Sequence, residues 1–139
     1  MSTITGVIYP IPKAYISRFF KGKKTVFVKP ATTYRHLRAG MRFVFYQSTE
    51  EPGCIGEARI KRIFVSEDPL QFLDTYGDRV FLDSEELISY KESRKKRSGS
   101  ADEEGLRLWI AIELEGITVY KKPVRPARPV PPGGEYLRE

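Results

Sequence analysis

One cysteine, Cys54, and one histidine, His36, are the whole supply of thiol and imidazole in this chain of 139 residues. A lone thiol cannot close a disulfide within the chain, and the two groups together fall short of the ligand set of a structural zinc site. Zinc binding, a disulfide-stapled fold and a Cys-His nucleophile pair are therefore nearly excluded, and the composition fits a reducing compartment. Long apolar runs are missing as well. No stretch approaches the roughly 18 apolar residues of a membrane span, and Met1-Ser2-Thr3-Ile4 has neither the basic nor the apolar part of a signal peptide. The expectation is a soluble, cytoplasmic protein with no metal and no cofactor. Acid is in shorter supply than base: 18 Asp and Glu face 24 Lys and Arg, a net charge of +6 that favours a polyanionic partner.

With 40% apolar residues the chain suits one domain with its own core. It shows no internal repeat. Ile4 to Tyr9 reads as a strand stopped by Pro10 and Pro12. Ala14, Tyr15, Ile16, Phe19 and Phe20 then carry apolar bulk at helical spacing over residues 13 to 21, with Gly22 as the C-terminal cap. Thr25 to Lys29 is a strand with Val26 and Val28 on one face and Thr25, Phe27 and Lys29 on the other. After a polar connection containing Tyr34, Arg35 and His36, a turn at Ala39-Gly40 leads into a strand from Met41 to Tyr46. Ile55 to Val65 makes a long strand whose alternation slips near Lys61 and Arg62, which predicts a bulge there. Asp68-Pro69 opens a helix closed by Gly77, Val80 to Leu82 forms a short strand, and Ser84 opens a second helix running into the basic run Lys91 to Arg97. Residues 98 to 105 are polar and charged and read as a surface loop. Leu106 to Leu114 is the clearest strand, and Glu115-Gly116 reads as a hairpin turn into Ile117 to Lys121. Five prolines between Lys122 and Glu139 make the tail extended, strapped along the domain. About six strands and three short helices argue for a mixed barrel with helices over its ends. The expected layout is a barrel domain over 1–121 and a Pro-rich tail over 122–139.

The segment most suggestive of chemistry is Gly22-Lys23-Lys24-Thr25-Val26-Phe27-Val28-Lys29-Pro30. Glycine lets a ligand approach the backbone, and ammonium groups at both ends of a strand can flank an anion or a polar base edge. On the strand order above, Phe20 to Ile63 resembles the PUA-like superfamily and within it the ASCH domains, small pseudo-barrels associated with RNA. The matching elements are Gly22, Lys24 and Thr25, then Leu37 and Gly40, then Phe43 to Tyr46. The whole chain resembles more closely a family of uncharacterised archaeal proteins of about this length, through Val26 to Pro30, Gly40-Met41 with Phe45-Tyr46-Gln47-Ser48, and Tyr76-Gly77-Asp78 with Phe81-Leu82. The resemblance implies an α+β, mainly β fold: an ASCH-type pseudo-barrel with short helices packed over it.

It also implies an RNA or other nucleic-acid partner and a nucleotide, modified or single-stranded, held in a basic cleft between barrel and helices. Such a cleft needs cations for phosphate, aromatic faces for stacking and fixed polar groups for a base edge. The candidates are Lys23, Lys24, Lys29 and Arg35 for phosphate, Tyr34, Tyr46 and Trp109 for stacking, and Ser48 with Glu57 for hydrogen bonds. Some ASCH proteins are amidohydrolases acting on acetylated cytidine through a lysine, a threonine and a glutamate. Here only Lys24 carries over, because the threonine position falls on Phe27 and the family's strand carboxylate and arginine are replaced by Phe27 and Lys29. Glu57 either supplies a carboxylate from the adjacent strand, making Lys24 and Glu57 a catalytic pair on a nucleoside or RNA, or forms an ordinary cross-strand ion pair with Lys24. A protein-interaction module using the Pro-rich tail is the third reading.

Overall fold

Two prolines and a strand ending between them set the start of the fold. In the computed structural model, which describes residues 3–21, 24–30, 36–49, 52–98, 108–126, 130–131 and 134–138, β1 (Ile4–Ile11) runs up to Pro12, whose carbonyl accepts the N–H groups of Tyr15 and Ile16 at 3.0 Å. Helix α1 (Lys13–Lys21) starts there and buries Ile16 and Phe19. It is followed by β2 (Val26–Pro30), β3 (Arg42–Gln47), β4 (Gly53–Ser66), α2 (Gln71–Tyr76) with a 3-10 turn (Gly77–Arg79), α3 (Ser84–Ser98), β5 (Trp109–Val124) and β6 (Glu135–Arg138). No helix among the described residues is long and apolar enough to cross a membrane.

The strands form one sheet in the order β2-β5-β4-β3-β1-β6. The β1–β3 pairing is parallel and the other four are antiparallel. The sheet curls without closing. Phe27 of β2 lies 4.7 Å from the Tyr9 ring of β1 and 5.4 Å from Phe43 of β3, whereas strands four places apart in a flat sheet stand about 19 Å apart. Phe19, Phe27, Phe45 and Phe81 meet inside the curl at ring separations of 5.0 to 5.5 Å. This core, capped by α1, is what closes the two halves of the sheet on one another.

The predicted slip near Lys61 and Arg62 is a register shift between Ile60 and Arg62 in the β4–β5 pairing. The expected hairpin at Glu115-Gly116 is not formed. β5 continues through it for 16 residues, pairing with β4 from Ser66 back to Cys54. Gly116 takes φ +61°, so the glycine accommodates a bulge, with Glu57 opposite Thr118 and Arg59 opposite Glu115. Val80 to Leu82 contributes a single parallel bridge, Val80 to Val26, rather than a strand. The end of the tail returns to the sheet as β6, antiparallel to β1. The loop expected around residues 99 to 107 lies outside the described residues.

Candidate functional site

A cleft of about 640 Å³ opens between the curled sheet and the helices. The end of β1 supplies Tyr9 to Pro12, α1 supplies Tyr15, β2 supplies Phe27 and Val28, and the segment that bridges to β2 supplies Phe81 and Leu82. Across from them α3 presents Glu85, Glu86, Ser89, Tyr90 and Ser93. Local sequence explains this convergence. The Val80–Val26 bridge fixes residues 80–82 against the free edge of β2, with the Phe81 N–H on the Val26 carbonyl at 3.0 Å. Helix α3 then starts immediately and must lie over β2. Its start is a capping box: the Glu86 N–H donates to Asp83 Oδ1 at 2.8 Å and the Asp83 N–H donates to Glu86 Oε1 at 3.0 Å.

Arg18 of α1 ties the two helices together. Its Nη1 donates to Glu86 Oε1 at 2.6 Å and to the Phe81 carbonyl at 2.8 Å, and its Nη2 donates to Glu86 Oε2 at 2.8 Å. This planar fork is the strong form of a charge-assisted contact. The hydrogen bonds from Arg18 bring the Glu86 carboxyl down to about 2, against the opposing effect of burial, with smaller help from the Asp83 N–H and from the charges of Arg18 and Lys24. Arg18 also stacks 4.8 Å over the Tyr15 ring, which in turn meets Phe81 edge-on at 6.1 Å. Tyr90 stands perpendicular to Trp109 at 5.0 Å. Burial pushes the Tyr9 hydroxyl far above the usual phenol range, with Tyr90 adding to the effect, so Tyr9 stays protonated at physiological pH. Rings, neutral hydroxyls and carboxylate acceptors thus face one space. Such a lining suits a planar, hydrogen-bonding ligand.

The described lining contains no lysine or arginine. Lys24 lies near the cleft with its Nζ on the Asp78 carbonyl, and its charge is felt at Glu86. Lys29 points into the curl and is only 3% exposed; its Nζ donates to the Pro30 carbonyl and sits 5.7 Å from the Tyr9 ring centre. Trp109 is buried behind Tyr90. Tyr46 and Ser48 lie at the end of β3 outside the lining, with the Ser48 N–H on the Ile11 carbonyl at 3.1 Å. Glu57 is on the outer surface of β4, bonded to Arg42 Nη2 and to the Tyr120 hydroxyl, both at 2.7 Å. Those bonds, Arg42 first, hold its carboxyl below the usual range. No ion pair joins Lys24 to Glu57. Lys23, Tyr34 and Arg35 lie outside the described residues. Cys54 is buried, and burial pushes its thiol up. No group of three or more His, Cys, Asp or Glu among the described residues is gathered to hold a metal.

The sequence reading missed Tyr9, Tyr15, Phe81, Glu86 and Tyr90 as site residues. One local signal was available, the Asp83-x-x-Glu86 spacing of a capping box. The rings are spread over residues 9 to 90, and only the tertiary fold assembles them.

Residues 4–139 match the family described as "Domain of unknown function (DUF365)". The chain belongs to the DUF365 family. An uncharacterised protein of Methanocaldococcus jannaschii is 37% identical to the DUF365 chain over 99 residues, which are 71% of this chain and 91% of the relative. Among solved structures, ASCH from Zymomonas mobilis superposes with a TM-score of 0.75 at 17% identity, covering 97% of this chain and 89% of that one. The N-terminal domain of Staphylothermus marinus McrB superposes with a TM-score of 0.52 at 13% identity, covering 86% and 75%. The DUF365 chain therefore has the ASCH-type, PUA-like fold, with an unclosed six-stranded sheet and three short helices among the described residues.

Proposed function

We propose that this DUF365 protein binds nucleic acid, RNA first, by taking one nucleotide of a single-stranded or locally opened segment into the cleft between α1, α3 and the sheet. The observation that carries the reading is the lining itself: tyrosine and phenylalanine rings from five segments around a space of about 640 Å³, within the range of small-ligand sites. A base offers a flat apolar face and a polar edge, which rings, hydroxyls and carboxylate oxygens match together. Phosphate does not belong beside Glu85 and Glu86, so the backbone passes outside, where Lys24 can meet it. Lys29 acts from behind Tyr9, its ammonium over the inner side of that ring, and Trp109 acts by backing Tyr90. Binding is favoured over catalysis because Glu57 is engaged by Arg42 and Tyr120 and has no ion pair with Lys24.

Fluorescence anisotropy with a labelled short single-stranded RNA tests this. Tyr15→Ala and Tyr90→Ala should each weaken binding by about 1–3 kcal/mol, the usual worth of one base stacked on one ring. Unchanged affinity in both variants would remove the cleft from the account.

A further inference from the structure

On the far side of β5 from the barrel interior, one carboxylate gathers three cations. Glu113 has a side chain only 4% exposed. Arg79 Nη2 is 2.6 Å from its Oε2, Lys61 Nζ is 3.8 Å from the same oxygen, and Arg62 Nε is 3.9 Å from Oε1. Consecutive strand residues normally point to opposite faces. Lys61 and Arg62 both reach Glu113 because the register shifts between Ile60 and Arg62.

Arg79 by itself balances Glu113 and is held in place. It donates to Thr25 Oγ1 at 3.1 Å and packs 5.4 Å over the Tyr76 ring. Lys61 and Arg62 are surplus to that task. At 3.8 and 3.9 Å they are beyond hydrogen-bond distance of the carboxylate, so their N–H groups remain available to another acceptor. All three cations are open to solvent, Arg79 at 44%, Lys61 at 47% and Arg62 at 59%. Three cations against one carboxylate leave a local excess of positive charge.

Lys24 joins this group to the cleft. Its Nζ is on the Asp78 carbonyl, the Thr25 N–H donates to the Arg79 carbonyl at 3.0 Å, and its charge helps depress the Glu86 carboxyl at the cleft. Cations therefore follow one another from the cleft outward: Lys24, then Arg79, then Lys61 and Arg62.

We propose that these four residues form a track for the phosphate backbone of a single-stranded nucleic acid, leading away from the cleft. The ligand class rests on the reading of the cleft; the track itself rests on the Glu113 cluster, and the experiment separates the two. Binding of a labelled short single-stranded RNA is followed against salt for the native protein, for Lys61→Gln with Arg62→Gln, for the triple variant that adds Lys24→Gln, and for Tyr15→Ala. Each lost phosphate contact lowers the slope of log K against log salt by about 0.7 for a single strand. The double variant should lose about 1.4 and the triple variant about 2 from that slope. Arg79 and Glu113 are untouched and Lys61 and Arg62 are exposed, so the thermal melt of the double variant should stay close to that of the native protein; the triple variant, which also loses the Lys24 hydrogen bond to the Asp78 carbonyl, is read by its salt slope.

A triple variant with the native slope would overturn the track, whatever Tyr15→Ala does. A flattened slope together with unchanged affinity in Tyr15→Ala would keep the track and remove the cleft. Displacement of the RNA by polyglutamate as effective as by unlabelled RNA of equal charge would assign the surface to an acidic protein and overturn the nucleic-acid assignment. Absence of any RNA binding by the native protein would overturn both readings.

Discussion

Replacing Glu86 with glutamine removes the carboxylate that fastens α1 to α3 and borders the cleft. The fall of its pKa from an ordinary 4.5 to about 2 corresponds to a ceiling of about 3.4 kcal/mol at about 1.4 kcal/mol per unit. The side chains of Arg18 and Glu86 are 33% and 28% exposed, so solvent screening reduces that figure. Exposed pairs contribute about 0.2–1 kcal/mol, and hydrogen bonds to charged groups about 1.5–3 kcal/mol. A bidentate, half-buried pair should fall between, at about 1–2 kcal/mol. The pH dependence follows from the direction of the shift. The folded-state pKa is lowered, so the contribution is complete above about 4.5 and disappears as pH falls through about 2. Urea denaturation of native protein and Glu86→Gln should differ by about 1–2 kcal/mol near neutrality, and the gap should close between about pH 4.5 and 2. A gap that stays constant across that window, or no gap at neutrality, would refute the assignment of the pair as the tie between the helices.

Two further outcomes follow from packing. A Cβ on Gly6 would lie 2.3 Å from the Arg42 carbonyl oxygen and 3.0 Å from its carbon, backbone atoms of the parallel partner strand. Gly6→Ala should therefore cost about 1–3 kcal/mol or more and lower the melting temperature, and an unchanged melt would contradict the close β1–β3 approach. Cys54, buried and with its thiol pushed up, should react with an alkylating reagent at neutral pH only at the rate of unfolding. Rapid labelling of the native protein would count against its burial in β4 between β3 and β5.

Local sequence carried most of the elements. The spacing of Ile16 and Phe19 between Pro12 and Gly22 gives α1 its observed bounds, and the broken alternation at Lys61 and Arg62 marks an actual register shift. Where local reasoning failed, tertiary pairing decided. Glu115-Gly116 has turn chemistry, yet β4 is long enough to pair across it, and positive φ at glycine absorbs the extra residue as a bulge. Alternation correctly separates Val26 and Val28 from Phe27 and Lys29, but it cannot tell which side is interior. Both are, because the curled sheet encloses one face while the helices cover the other, so Lys29 is buried with Phe27 and Glu113 is buried opposite Ile112. The site was less legible than the fold. Charge drew attention to Lys24 and Lys29, whereas the cleft is lined by rings that come from β1, α1, β2, the 80–82 segment and α3 and are adjacent only after the sheet has curled.

The proposed occupant of the ring-lined cleft is a nucleotide. Two-dimensional NMR of the protein titrated with a short single-stranded RNA tests it residue by residue. The largest amide shifts should fall on residues 9, 11, 13–15, 81–82 and 85–93, with smaller salt-sensitive shifts at 24, 61–62 and 79. Shifts confined to the outer surface around Glu57, or a spectrum unmoved by excess RNA, would contradict it.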